Sequence, residues 1–256
     1  MPKQNILFGR LGNKTNDIKH FKHLLPLDIK TIVEPFGGTF AVTRIVYNDK
    51  KFKKYVNDND ETLFKIYSDP KKYSKMCKTL NSLASECKNE NGNVQYEEFI
   101  EEASKLDIDS NMFDYWKIEK IIKGRLIKII KKINHTDFID IMDDITFSCD
   151  DYKKVINKFR KNKDTFIFLD PPYLFSDNSS YSQQKRKEGY DMTDMIYEIL
   201  EIFKDKTTKA KIMLIINDMK IIRYLFKDFA IEEYEKIYQL GKRKCNHLII
   251  TNYELD

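Results

Sequence analysis

A chain of 256 residues, 41% hydrophobic and 33% charged, is long enough for one large domain or two small ones and carries ample core material. Its 45 basic and 40 acidic side chains leave +5, which permits an anionic partner without demanding one. No apolar run approaches the ~18 residues of a membrane helix, Met1–Ile6 lacks the apolar segment of a secretory signal, and the four cysteines form no CxxC pair, so a reducing, intracellular compartment is expected.

An irregular N-terminal stretch with Gly9 and Gly12 precedes an amphipathic helix expected over 17–25, which Pro26 closes. Thr31–Glu34 reads as a short apolar strand running into Pro35-Phe36-Gly37-Gly38 and then a helix over 39–47. A second strand over 54–57 and a helix over 60–67 follow. Strand–turn–helix–strand argues for a parallel sheet. From Ser68 to Ile145 the chain turns polar and largely helical, with a turn signal at Asn91-Gly92, and the strand–helix rhythm stops. This stretch reads as an insert. Apolar residues at helical spacing predict that its last part, 112–132, is one helix. The rhythm resumes with buried-type strands over 166–169 and 212–216 and an amphipathic helix over 192–203 between them. Segments 233–240 and 247–253 resemble a terminal hairpin.

Asp170-Pro171-Pro172-Tyr173 ends the most apolar strand, where open α/β sheets place their ligands. The aspartate accepts hydrogen bonds, the prolines remove two N–H donors so that carbonyls can face a ligand, and the tyrosine offers a ring for stacking. The set is complementary to an exocyclic amine on a planar heterocycle such as adenine. Glu34-Pro35-Phe36-Gly37-Gly38 is a second strand-to-helix turn, with two of the chain's 8 glycines side by side. It is neither the dinucleotide pattern GxGxxG nor a phosphate-binding loop. Asp58, after the second strand, suits ribose hydroxyls, but Asn57-Asp58-Asn59-Asp60 is also rich in helix-capping residues.

Taken together, these residues resemble the Dam-like, D12 class of adenine-N6 DNA methyltransferases, over nearly the whole chain and in the family's order. Gly9, Asn13 and Lys14 are similar to the N-terminal motif that wraps the methionine end of S-adenosylmethionine. Glu34, Pro35, Phe36, Gly37, Gly38 and Thr39 match the cofactor loop, although Thr39-Phe40 stands where the family has a smaller pair. Asp58 and Asn59 match the ribose segment. Asp151, with Asp150 in reserve, resembles the acidic residue that reaches the cofactor's adenine. Asp170 to Tyr173 match the catalytic tetrad. The resemblance implies a Rossmann-like α/β domain with a mostly parallel sheet and a terminal β-hairpin (1–67 and 146–256), carrying a mainly helical target-recognition insert (68–145). The implied reaction is methylation of N6 on a flipped-out adenine in duplex DNA. Methylation of adenine in RNA and a catalytically silent DNA-binding relative are the alternatives.

Double-stranded DNA needs cations. Residues 117–132 hold seven basic side chains against Glu119, a net +6, so the rest of the chain carries −1. Lys120, Lys123 and Lys128 on that predicted helix are candidate phosphate contacts, as are Lys185, Arg186, Lys187 and Arg243. The four histidines show no metal-ligand spacing, and no metal or membrane partner is expected. The resemblance leaves room for a homodimer and for a cognate restriction endonuclease, and implies action in the compartment that holds the DNA.

Overall fold

The protein is described from a computed structural model that covers residues 14–90, 94–122, 125–126, 142–172, 192–237 and 244–255. The chain divides into two compact units, one formed by Asp60–Asp143 and the other by Leu11–Asn59 with Asp144–Asp256.

The larger unit is built on one sheet. In chain order its strands are β1 (Thr31–Glu34), β2 (Lys53–Asn57), β5 (Ile145–Ser148), β6 (Thr165–Leu169), β7 (Lys211–Asn217), β8 (Ala230–Ile237) and β9 (Lys244–Thr251). Across the sheet the order is β5-β2-β1-β6-β7-β9-β8. The first five run parallel, and β9 is antiparallel to both neighbours. This is a mostly parallel α/β sheet closed by a terminal hairpin, as the sequence predicts. Burial on both faces explains the apolar runs. All five residues of β6 are buried. Ile167 and Leu169 join Ile212, Leu214 and Ile216 of β7 on the face covered by α7 (Tyr152–Phe159) and α8 (Met192–Lys204). Phe166 and Phe168 join Met213 and Ile215 on the opposite face, packed against the N-terminal segment and α2 (Ala41–Ile45). The two faces alternate with the period of two that a pleated strand imposes.

Strand order reverses between β1 and β6. The chain leaves β1 for β2 and β5 on one side, and later enters β6, β7 and the hairpin on the other. A crevice opens at such a point beyond the carboxyl ends of the strands.

The smaller unit is helical, with α3 (Glu61–Ser68), α4 (Pro70–Glu86), α5 (Tyr96–Ser104) and α6 (Ser110–Lys120). Asp60 caps α3 by accepting from the Thr62 and Leu63 N–H groups. Asp69 caps α4 through the Lys72 N–H, with Pro70 in the first turn. Trp116, Phe99, Tyr73 and Leu80 are buried in this unit, and the Phe99 and Trp116 rings lie 5.5 Å apart.

Three expectations change. The helix predicted over 112–132 stops at Lys120; Ile121–Ile122 (β3) then pairs antiparallel with Arg125–Leu126 (β4). Two consecutive β-branched residues followed by Lys123-Gly124 favour a hairpin, and glycine costs a helix about 1 kcal/mol. The helix predicted over 17–25 is split into α1 at Ile18–Phe21 and a 3-10 turn at Lys22–Leu24, and another 3-10 turn precedes it at Lys14–Asn16. Ile145, which the expected boundary gives to the insert, is the first residue of β5.

Candidate active site

The crevice at the β1/β6 reversal brings together two sequence motifs that lie far apart along the chain. Glu34 is the last residue of β1, and Asp170 follows the last residue of β6. Beyond β1 the chain must turn at once into α2, and the loop is packed too tightly for a side chain at its centre. A Cβ on Gly37 would lie 2.4 Å from Val56 Cγ1 and 2.9 Å from the Asn57 carbonyl oxygen. The Gly37 N–H donates to that same carbonyl at 2.6 Å. Gly38 takes a positive φ of 49°, and Phe40, φ 39°, is also left-handed. A bulky residue seldom adopts that conformation. Phe40 is fully buried and meets the Phe147 ring edge-on, which explains how a large residue is held in a turn where a small one would relax.

Asn57 knits the rim. Its side-chain amide donates to the Pro35 carbonyl at 3.0 Å and the Asp150 carbonyl at 2.9 Å. Its oxygen accepts from the Ser148 hydroxyl at 2.6 Å and the Asp150 N–H at 2.8 Å. An asparagine has two donors and two acceptor lone pairs, and all four are used. One buried side chain thus ties together the loops after β1, β2 and β5. Sequence reasoning missed it; the only signal was a polar residue closing an otherwise apolar strand.

These loops bound a small open cleft lined by Pro35, Phe36, Asn57, Asp58, Asn59, Asp150 and Tyr152. The Phe36 and Tyr152 rings pack at 5.0 Å and form its apolar wall. Asp58 points away from helix capping, which Asp60 performs, and accepts from the Gly38 N–H at 3.0 Å. Asp150 lines the cleft, whereas Asp151 caps α7 through the Lys153 N–H and is not among the lining residues. Thr39 is buried behind the loop.

On the other side of the reversal lies a group of buried charges. The Lys14 ammonium contacts both carboxylate oxygens of Asp170 at 2.5 Å. Lys14 is 4% exposed and Asp170 20%. Burial pulls the Lys14 pKa below the ordinary lysine value, against the opposing pull of Asp170. Glu34 accepts from the Thr43 N–H at 2.6 Å. Burial raises its pKa to about 7, with the Asp170 charge adding to the rise. Pro171 is buried and Pro172 half-buried.

Tyr173, Gly9, Asn13, Lys123, Lys128, Lys185, Arg186, Lys187 and Arg243 lie outside the described residues, as does the side chain of Lys120. Among the described residues no group of His, Cys, Asp or Glu is arranged to hold a metal, and no helix is long and apolar enough to cross a membrane.

A mostly parallel, doubly wound sheet with the Asp170 loop on one lip of its crevice and a glycine turn on the other is an α/β fold of the Rossmann-like kind. Residues 115–240 match the D12 class N6 adenine-specific DNA methyltransferase family. The type II methyltransferase M.CviBI of Paramecium bursaria Chlorella virus NC1A is 24% identical over 282 residues, covering 94% of this chain and 97% of that protein. The type II methyltransferase M1.LlaDCHI of Lactococcus lactis subsp. cremoris is 22% identical over 276 residues, covering 94% and 93%. Residues 115–240 thus resemble a methyl-transferring class that acts on DNA.

Proposed function

We propose that this chain transfers a methyl group from S-adenosylmethionine to the N6 amine of an adenine flipped out of duplex DNA. The observation that carries the reading is the meeting of Asp170-Pro171-Pro172 with the Glu34–Gly38 turn across one crevice. The cleft beside it suits the adenosine part of the cofactor. Its aromatic wall, Phe36 and Tyr152, matches a purine face, and Asp58 stands beyond β2, where carboxylates take ribose hydroxyls in this architecture. Asp150 supplies an acceptor for an exocyclic amine, and the absent Cβ at Gly37 keeps the turn closed against β2. When bound, S-adenosylmethionine supplies an electrophilic methyl group on a sulfonium.

The protein's part is placement and charge. N6 of a paired adenine is engaged within the duplex, so the base must leave the stack. Asp170 accepts one N6 hydrogen and the Pro171 carbonyl the other, which leaves the nitrogen lone pair free for attack. The carboxylate favours the positive charge that develops on nitrogen. Lys14, on both oxygens of Asp170, fixes the plane of the carboxylate. Tyr173, next in sequence, is the stacking partner of the flipped base. Asp60–Asp143 serves target recognition, with Lys120, Lys123 and Lys128 on phosphates and Lys185, Arg186, Lys187 and Arg243 doing the same from the catalytic unit.

The test is Asp170→Ala. Methyl transfer to duplex DNA should fall at least about a hundredfold, the scale of losing a charge partner of the transition state, while S-adenosylmethionine still binds by calorimetry. Turnover near wild type would overturn the assignment.

A further inference from the structure

We propose that the buried Asp17–Lys236 pair is a positioning device that delivers Lys14 to Asp170, making the terminal hairpin part of the catalytic apparatus. The inference rests on Asp170 being the methyl-transfer carboxylate.

Lys14 sits on a 3-10 turn of three residues. A single turn has almost no stability of its own, because ordering it fixes several dihedrals for very little hydrogen bonding. Its hold on a residue 156 positions away must therefore come from tertiary ties. A buried polar tie is Asp17 Oδ2 to Lys236 Nζ at 2.5 Å, with side chains 9% and 10% exposed. Around it, His20 stacks on Tyr234 at 5.1 Å, Tyr234 hydrogen-bonds His247 Nδ1 at 3.2 Å, and Phe21 packs on Phe168 of β6. The Arg44 guanidinium donates to Thr15 at 3.1 Å. The N-terminal segment is thus held against β8, β9 and β6 together. An apolar pair in place of Asp17 and Lys236 would be as stable or more so, because two charges lose their hydration. What the ion pair adds is register and field.

The field has a readable consequence. Among the described residues, the charged and titratable groups that act on Lys14 or feel its charge are Asp170 just after β6, Asp17 from its own segment, Lys236 from β8 and His247 from β9. Burial, helped by the two lysines, lowers the His247 pKa to about 3, so the imidazole is neutral. Lys236 opposes the charged form of Lys14 and Asp17 favours it. Neutralising the two partners of one ion pair should therefore move Lys14 in opposite directions as long as Lys14 stays beside them.

The experiment uses the full chain and reads the 13Cε resonance of Lys14 in the free protein, then the pH dependence of kcat. Asp17→Asn should shift the Lys14 titration to lower pH and Lys236→Gln to higher pH, with the alkaline limb of kcat following. Both should lower kcat at neutral pH by about tenfold or more, since small misplacements of a positioning group cost rates of this order. Lys236→Arg should recover most of the loss. Lys244→Gln, an exposed lysine paired with Glu235 on the same hairpin, should leave kcat unchanged. The double variant Asp17→Asn/Lys236→Met leaves no unpaired buried charge, so it remains testable if a single variant does not fold, and it should keep the turnover defect. Titration shifts in the same direction, or wild-type turnover in the double variant, would overturn the proposal. Opposite shifts without any methyl transfer even in wild type would leave the network in place and remove the functional reading.

Discussion

Asn57→Ala is the sharpest probe of how the cleft is built. It deletes four hydrogen bonds at once, to Pro35, Ser148 and, twice, Asp150. At a net ~0.5–1.5 kcal/mol each the sum spans about 2–6 kcal/mol. Only the bond to Pro35 is fully buried, and the other three lie where water can partly replace the lost partner. We therefore expect about 3 kcal/mol, which for a chain of this size lowers Tm by about 6–12 °C. The loss should also reach the ligand, because the three loops that Asn57 ties are the ones that line the cleft. Urea denaturation gives the stability change and calorimetry with S-adenosylmethionine the affinity, expected to fall by about tenfold or more. A loss under ~1 kcal/mol with unchanged affinity would refute the idea that this side chain organises the rim.

Gly37→Ala should destabilise the larger unit by about 1–3 kcal/mol, because the new methyl group meets Val56 and the Asn57 carbonyl in a packed region; a thermal scan within 1 °C of wild type, on the order of the measurement error, would count against that packing. Glu34 gives a pH signature. Its folded pKa of about 7 lies above its ordinary value of 4.5, so the folded state binds more protons between the two. Glu34 therefore contributes a loss of stability as pH rises from about 4.5 to 7, at most about 3 kcal/mol. Glu34→Gln should abolish that part of the slope in urea titrations; an unchanged slope would mean that the carboxyl is not buried as described.

What the sequence revealed follows from how much each element buries. The residues of β6 and the core of β7 are buried on both faces, so their strands stand out as contiguous apolar runs. Motifs at strand ends inherit that clarity, which is why Glu34–Gly38 and Asp170–Pro172 were legible. The edge strand β5 buries only Ile145 fully and offers no run to see. The basic segment misled because lysine spacing says nothing of backbone, and the break at Ile121-Ile122 was outvoted by apolar residues at helical intervals. The asparagine clamp was invisible because its partners are mostly backbone groups on loops far away in sequence. The same holds for the helix cap, which falls to Asp60 and not to Asp58 and which only the hydrogen bonds reveal.

The parallel pairing of β2 with β5 places the smaller unit in an unusual economy of chain. Parallel neighbours need a connection of a dozen residues or more to return to the starting edge. Here that connection is Asp60–Asp143, an entire folded unit. Closure entropy grows only with the logarithm of length, so stretching such a link from ~12 to ~84 residues costs the sheet about 2 kcal/mol if the link were flexible, and less when it folds by itself. Substitution, lengthening or exchange of this unit therefore leaves the strand register at the crevice almost untouched. A chain wired in this way can change its inserted unit without rebuilding the sheet.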